Sequence, residues 1–240
     1  MDPNIAQLGE WVGAAKRIVF FGGAGVSTES GIPDFRSTGG LYNQQYKYPP
    51  EVIVSHTFYE ERPEEFFAFY RKRMLFPDAQ PNAAHRKLAE WERQGRLAAV
   101  VTQNIDGLHQ AAGSRNVLEL HGSVHRNYCE HCGKSFPLSY LLQSTGVPRC
   151  DACGGPVRPD VVLYEEALDS DILEAAVEDI AAADLLIIGG TSLVVYPAAG
   201  LIRYFQSSHL VLVNKTATAA DSRADLVIHD AIGAVFAQLP

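Results

Sequence analysis

Short apolar runs at 17–21, 98–102, 117–120, 161–164, 185–188, 210–213 and 226–228 alternate with longer segments in which apolar residues recur at helical spacing. A run of four or five apolar residues without polar alternation suits a strand buried on both faces. Strands that alternate with helices build a parallel sheet covered on either side. Most of the runs end in a polar or glycine-rich segment, which is where open sheets of this kind hold ligands. The pattern predicts helices over 83–94, with Asn82 as cap and Leu88 and Trp91 on one face, and over 171–183, with Ser170 as cap. The predicted fold is α/β, a doubly wound, Rossmann-like parallel sheet.

Two stretches break the alternation. Residues 33–80 are rich in Tyr, Pro and Phe, with a helix predicted over 63–75, and residues 123–159 hold every cysteine of the chain. They read as insertions, one helical and one a zinc-ribbon module, that pack together as a smaller domain. The sheet domain is left with 1–32, 81–122 and 160–240. The cleft between the two is the expected active site. The chain shows neither an internal repeat nor a low-complexity linker.

The cysteines sharpen this division. Cys129, Cys132, Cys150 and Cys153 form a C-x2-C-x17-C-x2-C array. Each C-x2-C pair converges two thiolates from a tight turn, and two pairs complete the closed tetrahedral shell of a structural zinc. Two disulfides, which require a secreted setting, or unrelated free thiols are the alternatives. Gly133 and Gly154 suit the turns, and Arg126, Lys134, Arg149 and Arg158 are expected to offset the charge of the tetrathiolate. His125 and His131, beside a filled shell, read as surface residues. One structural zinc is expected, with the chemistry elsewhere.

Charge narrows the partners. A net charge of −8 leaves no basic stripe for a nucleic-acid backbone, so no direct nucleic-acid binding is expected, while an acidic protein is compatible with lysine-rich peptides. The first fifteen residues carry Asp2 and Glu10 and lack the basic start of a signal peptide. Apolar runs fall short of the roughly 18 residues of a membrane span. The expectation is a cytoplasmic protein with no membrane partner.

The first predicted strand runs into Gly22-Gly23-Ala24-Gly25-Val26-Ser27-Thr28, whose glycines allow a tight turn and close approach of backbone amides to a pyrophosphate. Alone this is a weak sign. Thr28 stands where a dinucleotide fingerprint has its third glycine, and no acid follows at the usual spacing. Gly31-Ile32-Pro33-Asp34-Phe35-Arg36 interrupts instead, which suggests manipulation of the nicotinamide end and not hydride transfer. A buried turn with an Asp34–Arg36 pair is the bland alternative.

Together with Gln103-Asn104-Ile105-Asp106-Gly107-Leu108-His109 and Glu119-Leu120-His121-Gly122, and with the zinc array following, the chain resembles the sirtuin (Sir2) family of NAD-dependent protein lysine deacylases, in its short bacterial form. The match runs in order along nearly the whole chain. The resemblance implies that NAD is consumed as a co-substrate: the acyl-lysine oxygen attacks the ribose carbon bearing nicotinamide, and the acyl group passes to ADP-ribose. His121 is the implied general base on the ribose hydroxyls, a role suited to a group whose ordinary pKa is about 6.5; without the resemblance, a structural histidine fits equally well.

By the same resemblance, Asn104 and Asp106 are catalytic residues of the nicotinamide pocket, which Ile105 shares, and Gln103 meets the ribose. Gly23, Ala24, Gly25, Ser27 and Thr28 cradle phosphate. Asp34, Phe35 and Arg36 form a cofactor loop. Gly190, Thr191 and Ser192 form a second phosphate turn, Asn214 and Lys215 approach the adenine ribose, and Asp230 and Ala231 the adenine. The acyl-lysine protein or peptide is added as a strand between Val162-Leu163-Tyr164-Glu165 and Leu193-Val194-Val195-Tyr196, its side chain entering a tunnel lined by Phe35, Val162 and Tyr164. Two departures stand out: Gly22 replaces a common threonine, and Tyr164-Glu165-Glu166 replaces Phe-Gly-Glu. Tyr70 and Arg73, three apart on the helix over 63–75, resemble the Tyr-x-x-Arg pair of desuccinylases and demalonylases, although Arg71-Lys72-Arg73 is also an ordinary solvated basic run. Mono-ADP-ribosyl transfer, NAD hydrolysis or a non-catalytic NAD sensor are the competing functions on this scaffold.

Overall fold

The computed structural model describes residues 2–35, 40 and 46–240. Nine strands are labelled in chain order: β1 (Ile18–Gly22), β2 (Leu97–Thr102), β3 (Val117–Glu119), β4 (Gly122–Cys129), β5 (Ser135–Phe136), β6 (Val157–Val161), β7 (Leu185–Gly189), β8 (Leu210–Val213) and β9 (Leu226–Ile228). Six of them form one parallel sheet in the order β3-β2-β1-β7-β8-β9, and β5-β4-β6 form a small antiparallel sheet. Strand order reverses between β1 and β7, so the sheet is doubly wound.

The inner strands β1, β7 and β8 are apolar and buried throughout because both faces are covered. Phe20, Val100, Ile187 and Val211 point to one face, beneath the helices Pro3–Ala14, Ala83–Arg93 and Ile232–Phe236. Phe21, Val101, Ile188 and Leu212 alternate to the other, beneath the helix Ser170–Ala182 and the 3-10 segment Ala198–Tyr204. A third cluster lies outside this sheet and joins Phe66, Phe67 and Tyr70 of the helix Pro63–Arg73 to Val124, Cys129, Phe136 and Val157 of the small sheet. Among the described residues, no helix is long and apolar enough to cross a membrane.

Two local expectations are corrected. The run 161–164 is not a strand of the parallel sheet: β6 ends at Val161 after pairing antiparallel with β4, and Tyr164 then bridges Ser55. Burial against the small-sheet cluster, which an apolar run satisfies equally well, decided its partner. The helix predicted over 171–183 is capped by Asp169, whose Oδ1 accepts from Asp171 N at 2.9 Å and Ile172 N at 3.0 Å, and Ser170 becomes its first residue. A carboxylate satisfies two orphan amides and the positive helix end together. Asn82 caps Ala83–Arg93 as expected, accepting from Ala84 N at 2.9 Å.

Candidate functional site

A cleft of 1220 Å³ opens at the C-terminal ends of β1, β2, β7 and β8, below the small sheet. One wall is the glycine turn. Gly25 N donates to Gly190 O at 2.8 Å, and Gly23 N to Gly189 O at 3.2 Å, locking the two glycine loops together. A Cβ on Gly25 would lie 2.7 Å from Gly190 Cα, so only glycine permits this approach. The turn continues as the 3-10 segment Ala24–Ser30, with Thr28 Oγ1 donating to Gly25 O. Among the described residues the N–H groups of Ala24 and Ser192 have no hydrogen-bond partner, leaving donors for an anion on both loops. Gly22 does not loosen the turn: the Phe20 ring and Val26 fill the space a side chain there would need, with Phe20 Cε1 2.6 Å from the Cβ position.

The floor is polar and tightly held. Ser27 Oγ donates to Asp106 Oδ2 at 2.6 Å and accepts from Asn104 Nδ2 at 3.1 Å, while Asp106 Oδ1 accepts from Leu108 N. Ser27 and Asn104 are buried. This chain of bonds fixes the Asp106 carboxylate and the Asn104 amide side by side. Gln103 Nε2 reaches Thr191 Oγ1 at 3.0 Å, and Ile105 O accepts from Val124 N, tying the floor to both the second loop and the small sheet.

His121 lines the cleft where β3 turns into β4. Its Nδ1 lies 2.9 Å from Gln103 O, and because a carbonyl only accepts, Nδ1 carries the hydrogen and Nε2 is the basic nitrogen of the neutral ring. Burial holds its pKa below the usual 6.5, against the smaller opposing effect of that carbonyl.

Thr191 N and Asn214 Nδ2 exchange bonds with the opposite partner's Oδ1 and carbonyl, so the buried Asn214 braces the second turn from β8. Gly190 takes a left-handed φ of 60° to make that turn. Lys215 and Asp230 are exposed at the rim of the cleft. Asp34 and Phe35 line it half-buried. Asp230 Oδ1 accepts from Ala231 N; Ala231 itself is not in the lining. Arg36 lies outside the described residues.

The segments 162–165 and 194–196 line the cleft as two lips, with Leu193 outside the lining. On the first, Val162 N donates to His121 O, Leu163 N to Glu166 Oε2, and Tyr164 N to Val54 O. Val194 and Val195 line the second, where Val194 and Tyr196 are exposed. Tyr70 and Arg73 both reach the cleft but in different settings. Tyr70 is stacked on Phe66 and buried, its hydroxyl without a partner; Arg73 lies over the Tyr46 ring at 5.5 Å. Neighbouring Arg71 is spent on Leu141 O, Ser144 and Gly146 O, so this is not a uniformly solvated basic run.

The thiolates of Cys129, Cys132, Cys150 and Cys153 all lie within 4.8 Å of one another. Cys129–Cys153 and Cys132–Cys150 are 3.4 and 3.7 Å apart, too far for a disulfide and close to the about 3.8 Å of sulfurs on a tetrahedral zinc. Four soft donors and no open position fit a structural zinc. Gly133 and Gly154 take left-handed φ values of 70° and 73° in the two turns, and Ala152 N donates to Cys150 Sγ. Two of the expected compensating cations are elsewhere: Arg126 binds Glu119 and Asp160, and Arg158 binds Glu166. Lys134 stays beside the cysteines, paired with Asp151 at 2.6 Å.

Several residues escaped the sequence reading. Asn82 is more than a cap: its Nδ2 donates to Val26 O at 2.7 Å and Ser30 Oγ at 3.0 Å, fastening a helix to the glycine turn. His125 is exposed as expected, yet it lines the cleft and donates from Nε2 to Asp106 O at 3.0 Å. Beneath the floor, His85 and His109 pack ring to ring at 4.7 Å; burial lowers both, His85 to about 4. Glu165, at a left-handed φ of 76°, clamps Thr57. Only the odd Tyr-Glu-Glu sequence signalled any of these in advance.

A model of the Sir2 family matches residues 23–197. NAD-dependent protein deacetylases of Clostridium acetobutylicum and Clostridium perfringens are 63% and 58% identical, over 97% and 100% of this chain and 96% and 99% of theirs. A solved structure of Sir2 with p53 peptide and NAD+ matches with a TM-score of 0.86 at 38% identity, covering 98% of this chain and 96% of that one. Sir2 bound to acetylated peptide matches with the same TM-score and coverage at 37% identity. With most of its length matched by the family model, and relatives this similar along nearly all of it, the chain belongs to the Sir2 family.

Proposed function

We propose that the chain is an NAD-dependent protein deacetylase, which moves the acetyl group of an acetyl-lysine side chain to ADP-ribose and releases nicotinamide. The observation that carries this is the meeting, in one cleft, of the paired glycine loops, the Ser27–Asp106–Asn104 cluster and a histidine whose tautomer is fixed with Nε2 basic. NAD, when bound, supplies the ribose carbon that nicotinamide leaves and the hydroxyl that takes up the acyl group.

Every other part of the chemistry belongs to the chain. His121 Nε2 accepts the proton of a ribose hydroxyl, and its lowered pKa keeps it in the basic form at neutral pH. Asn104 and Asp106, immobilised by Ser27, orient the carboxamide and the ribose, with Gln103 beside them and Ile105 completing the wall. Gly23, Ala24, Gly25, Ser27 and Thr28 face Gly190, Thr191 and Ser192 across the phosphates. Asn214 and Lys215 serve the adenine ribose, Asp230 and Ala231 the adenine, and Asp34, Phe35 and Arg36 shield the nicotinamide end. The acetylated peptide enters as a strand between Val162, Leu163 and Tyr164 on one lip and Val194 and Val195 on the other. We assign 1–32, 81–122 and 160–240 to the NAD-binding domain, 33–80 to the cofactor loop and helical insertion, and 123–159 to the zinc module. A net charge of −8 favours peptide over nucleic acid or membrane as partner, and four unbridged cysteines suit the cytoplasm.

A second reading, that acidic acyl groups are also removed, is favoured by one observation. Tyr70, whose buried hydroxyl has no hydrogen-bond partner, and Arg73, which makes no ion pair among the described residues, both line the cleft. Mass spectrometry of peptides bearing acetyl- or succinyl-lysine, with and without NAD, tests both readings. Deacetylation with NAD-dependent nicotinamide release is expected; release that needs no acylated peptide overturns the first reading in favour of NAD hydrolysis or ADP-ribosyl transfer. Arg73→Met is expected to remove desuccinylation selectively, and equal effects on both acyl groups overturn the second.

A further inference from the structure

We infer that Glu165 makes the peptide cleft selective for a cationic residue beside the acetyl-lysine. The inference rests on the reading that a peptide strand enters between the two lips.

The backbone sets the position. On the first lip, Tyr164 has spent both main-chain groups, N–H on Val54 O and carbonyl on His56 N. The next residue has not: among the described residues, the N–H and carbonyl of Glu165 have no hydrogen-bond partner, and neither have those of Val194 on the facing lip. Both residues are exposed and line the cleft. An entering strand therefore finds its free main-chain partners at Glu165 and Val194. A peptide residue paired with Glu165 brings its Cβ within about 5 Å of the glutamate's, the distance over which cross-strand charges attract or repel.

The charge at that point lacks an ion pair among the described residues, and only the longer-range attraction of His56 acts on it. Glu166, next in sequence, is neutralised by two bonds from Arg158, at 2.9 and 3.1 Å, and by His56 at 2.8 Å. Glu60 meets His56 Nε2. Glu165 makes no ion pair of this kind among the described residues, and His56 stays engaged with Glu166 and Glu60. Its Oε2 accepts from Thr57 N at 2.9 Å and Thr57 Oγ1 at 2.7 Å, while Oε1 takes no bond from the described residues. The clamp aims the side chain and keeps it ionised, since those bonds hold its pKa below the usual carboxylate value. One oxygen is thus fixed, and the other has no bond among the described residues on a residue that lines the cleft. The backbone underlines the placement: a φ of 76° favours glycine, yet the position holds a carboxylate. Lysine or arginine opposite Glu165 is attracted, glutamate is repelled, and the net charge of −8 draws basic segments toward the protein from farther away.

The test uses three acetyl-lysine peptides that differ only in the residues flanking the modified lysine, being arginine, alanine or glutamate. Binding is read by fluorescence anisotropy and turnover by KM and kcat, for the wild type, Glu165→Gln and Glu165→Gly. The wild type is expected to favour arginine over alanine by about threefold in Kd and KM, and to disfavour glutamate, with the preference shrinking as salt is raised. Glu165→Gln keeps an acceptor for Thr57 but no charge, and Glu165→Gly suits the left-handed backbone, so in both the ratio is expected to fall toward one. Equal affinity of the wild type for all three peptides, or an unchanged preference in both variants, overturns the inference. Deacetylation without a charge order overturns it alone. A charge order in binding that follows Glu165 without any deacetylation upholds it and overturns the deacetylase reading instead.

Discussion

In its proposed role as general base, His121 depends on one hydrogen bond as much as on its own ring. The Gln103 carbonyl holds the hydrogen on Nδ1, and burial lowers the proton affinity of the ring, so the basic Nε2 is available at neutral pH. His121→Ala is expected to keep the fold and NAD binding while losing at least about a hundredfold in deacetylation, the scale of a general base. Near-normal turnover of that variant would show that the base is another group. The pH profile carries the sign: a base works when deprotonated, so activity is lost as pH falls through a pKa that lies below 6.5, and the acidic limb of kcat/KM is expected on the acid side of that value. The hydrophobic pattern placed Gln103, Asn104, Asp106 and His121 at strand ends, while their roles came from the family resemblance of their motifs and not from that pattern. The bond from Ser27 to Asp106 joins residues 79 apart and was not legible.

The glycine turn depends on the fit between two elements. Gly25→Ala is expected to drive Cβ into Gly190, 2.7 Å from its Cα and 2.8 Å from its carbonyl oxygen, breaking the bond that locks the loops. NAD affinity measured by calorimetry should fall at least about tenfold, with about 1–3 kcal/mol of stability lost to overpacking. Gly13→Ala is the control: it lies in the helix Pro3–Ala14, its Cβ meets nothing, and it should gain about 0.5–1 kcal/mol without touching NAD binding. Sequence marked the turn itself, a strand running into Gly-Gly-Ala-Gly, although alone that was a weak sign of a phosphate site. It did not announce Gly190 as the partner surface, nor Asn82 as the clasp on Val26 and Ser30.

At the scale of the whole molecule, the zinc site and the helical insertion share one apolar cluster, in which Cys129 and Cys150 pack with Phe66, Phe67, Val161 and Leu163. Loss of zinc should therefore loosen the substrate lip as well as the module. Cys150→Ala, or a strong chelator, is expected to lower the melting temperature and solubility and to abolish deacetylation, with elemental analysis of the wild type giving one zinc per chain; a soluble, zinc-free, fully active variant would refute the structural role. By itself the sequence determined the parallel sheet, the glycine turn, the cysteine quartet and the order of the site motifs, because each is a local pattern: an apolar run, a turn that only glycine allows, a fixed spacing of ligands. Tertiary structure decided what those patterns leave open. It sent the run 161–164 to the small sheet and Tyr164 to Ser55, and it turned Arg126 and Arg158 from the zinc to carboxylates. It also gave Tyr70 and Arg73, three apart on one helix, separate surroundings, and set Glu165 against Thr57 at the mouth of the cleft. These outcomes turn on which surfaces meet across long stretches of chain, and an apolar residue or an arginine carries no mark of the partner it will find.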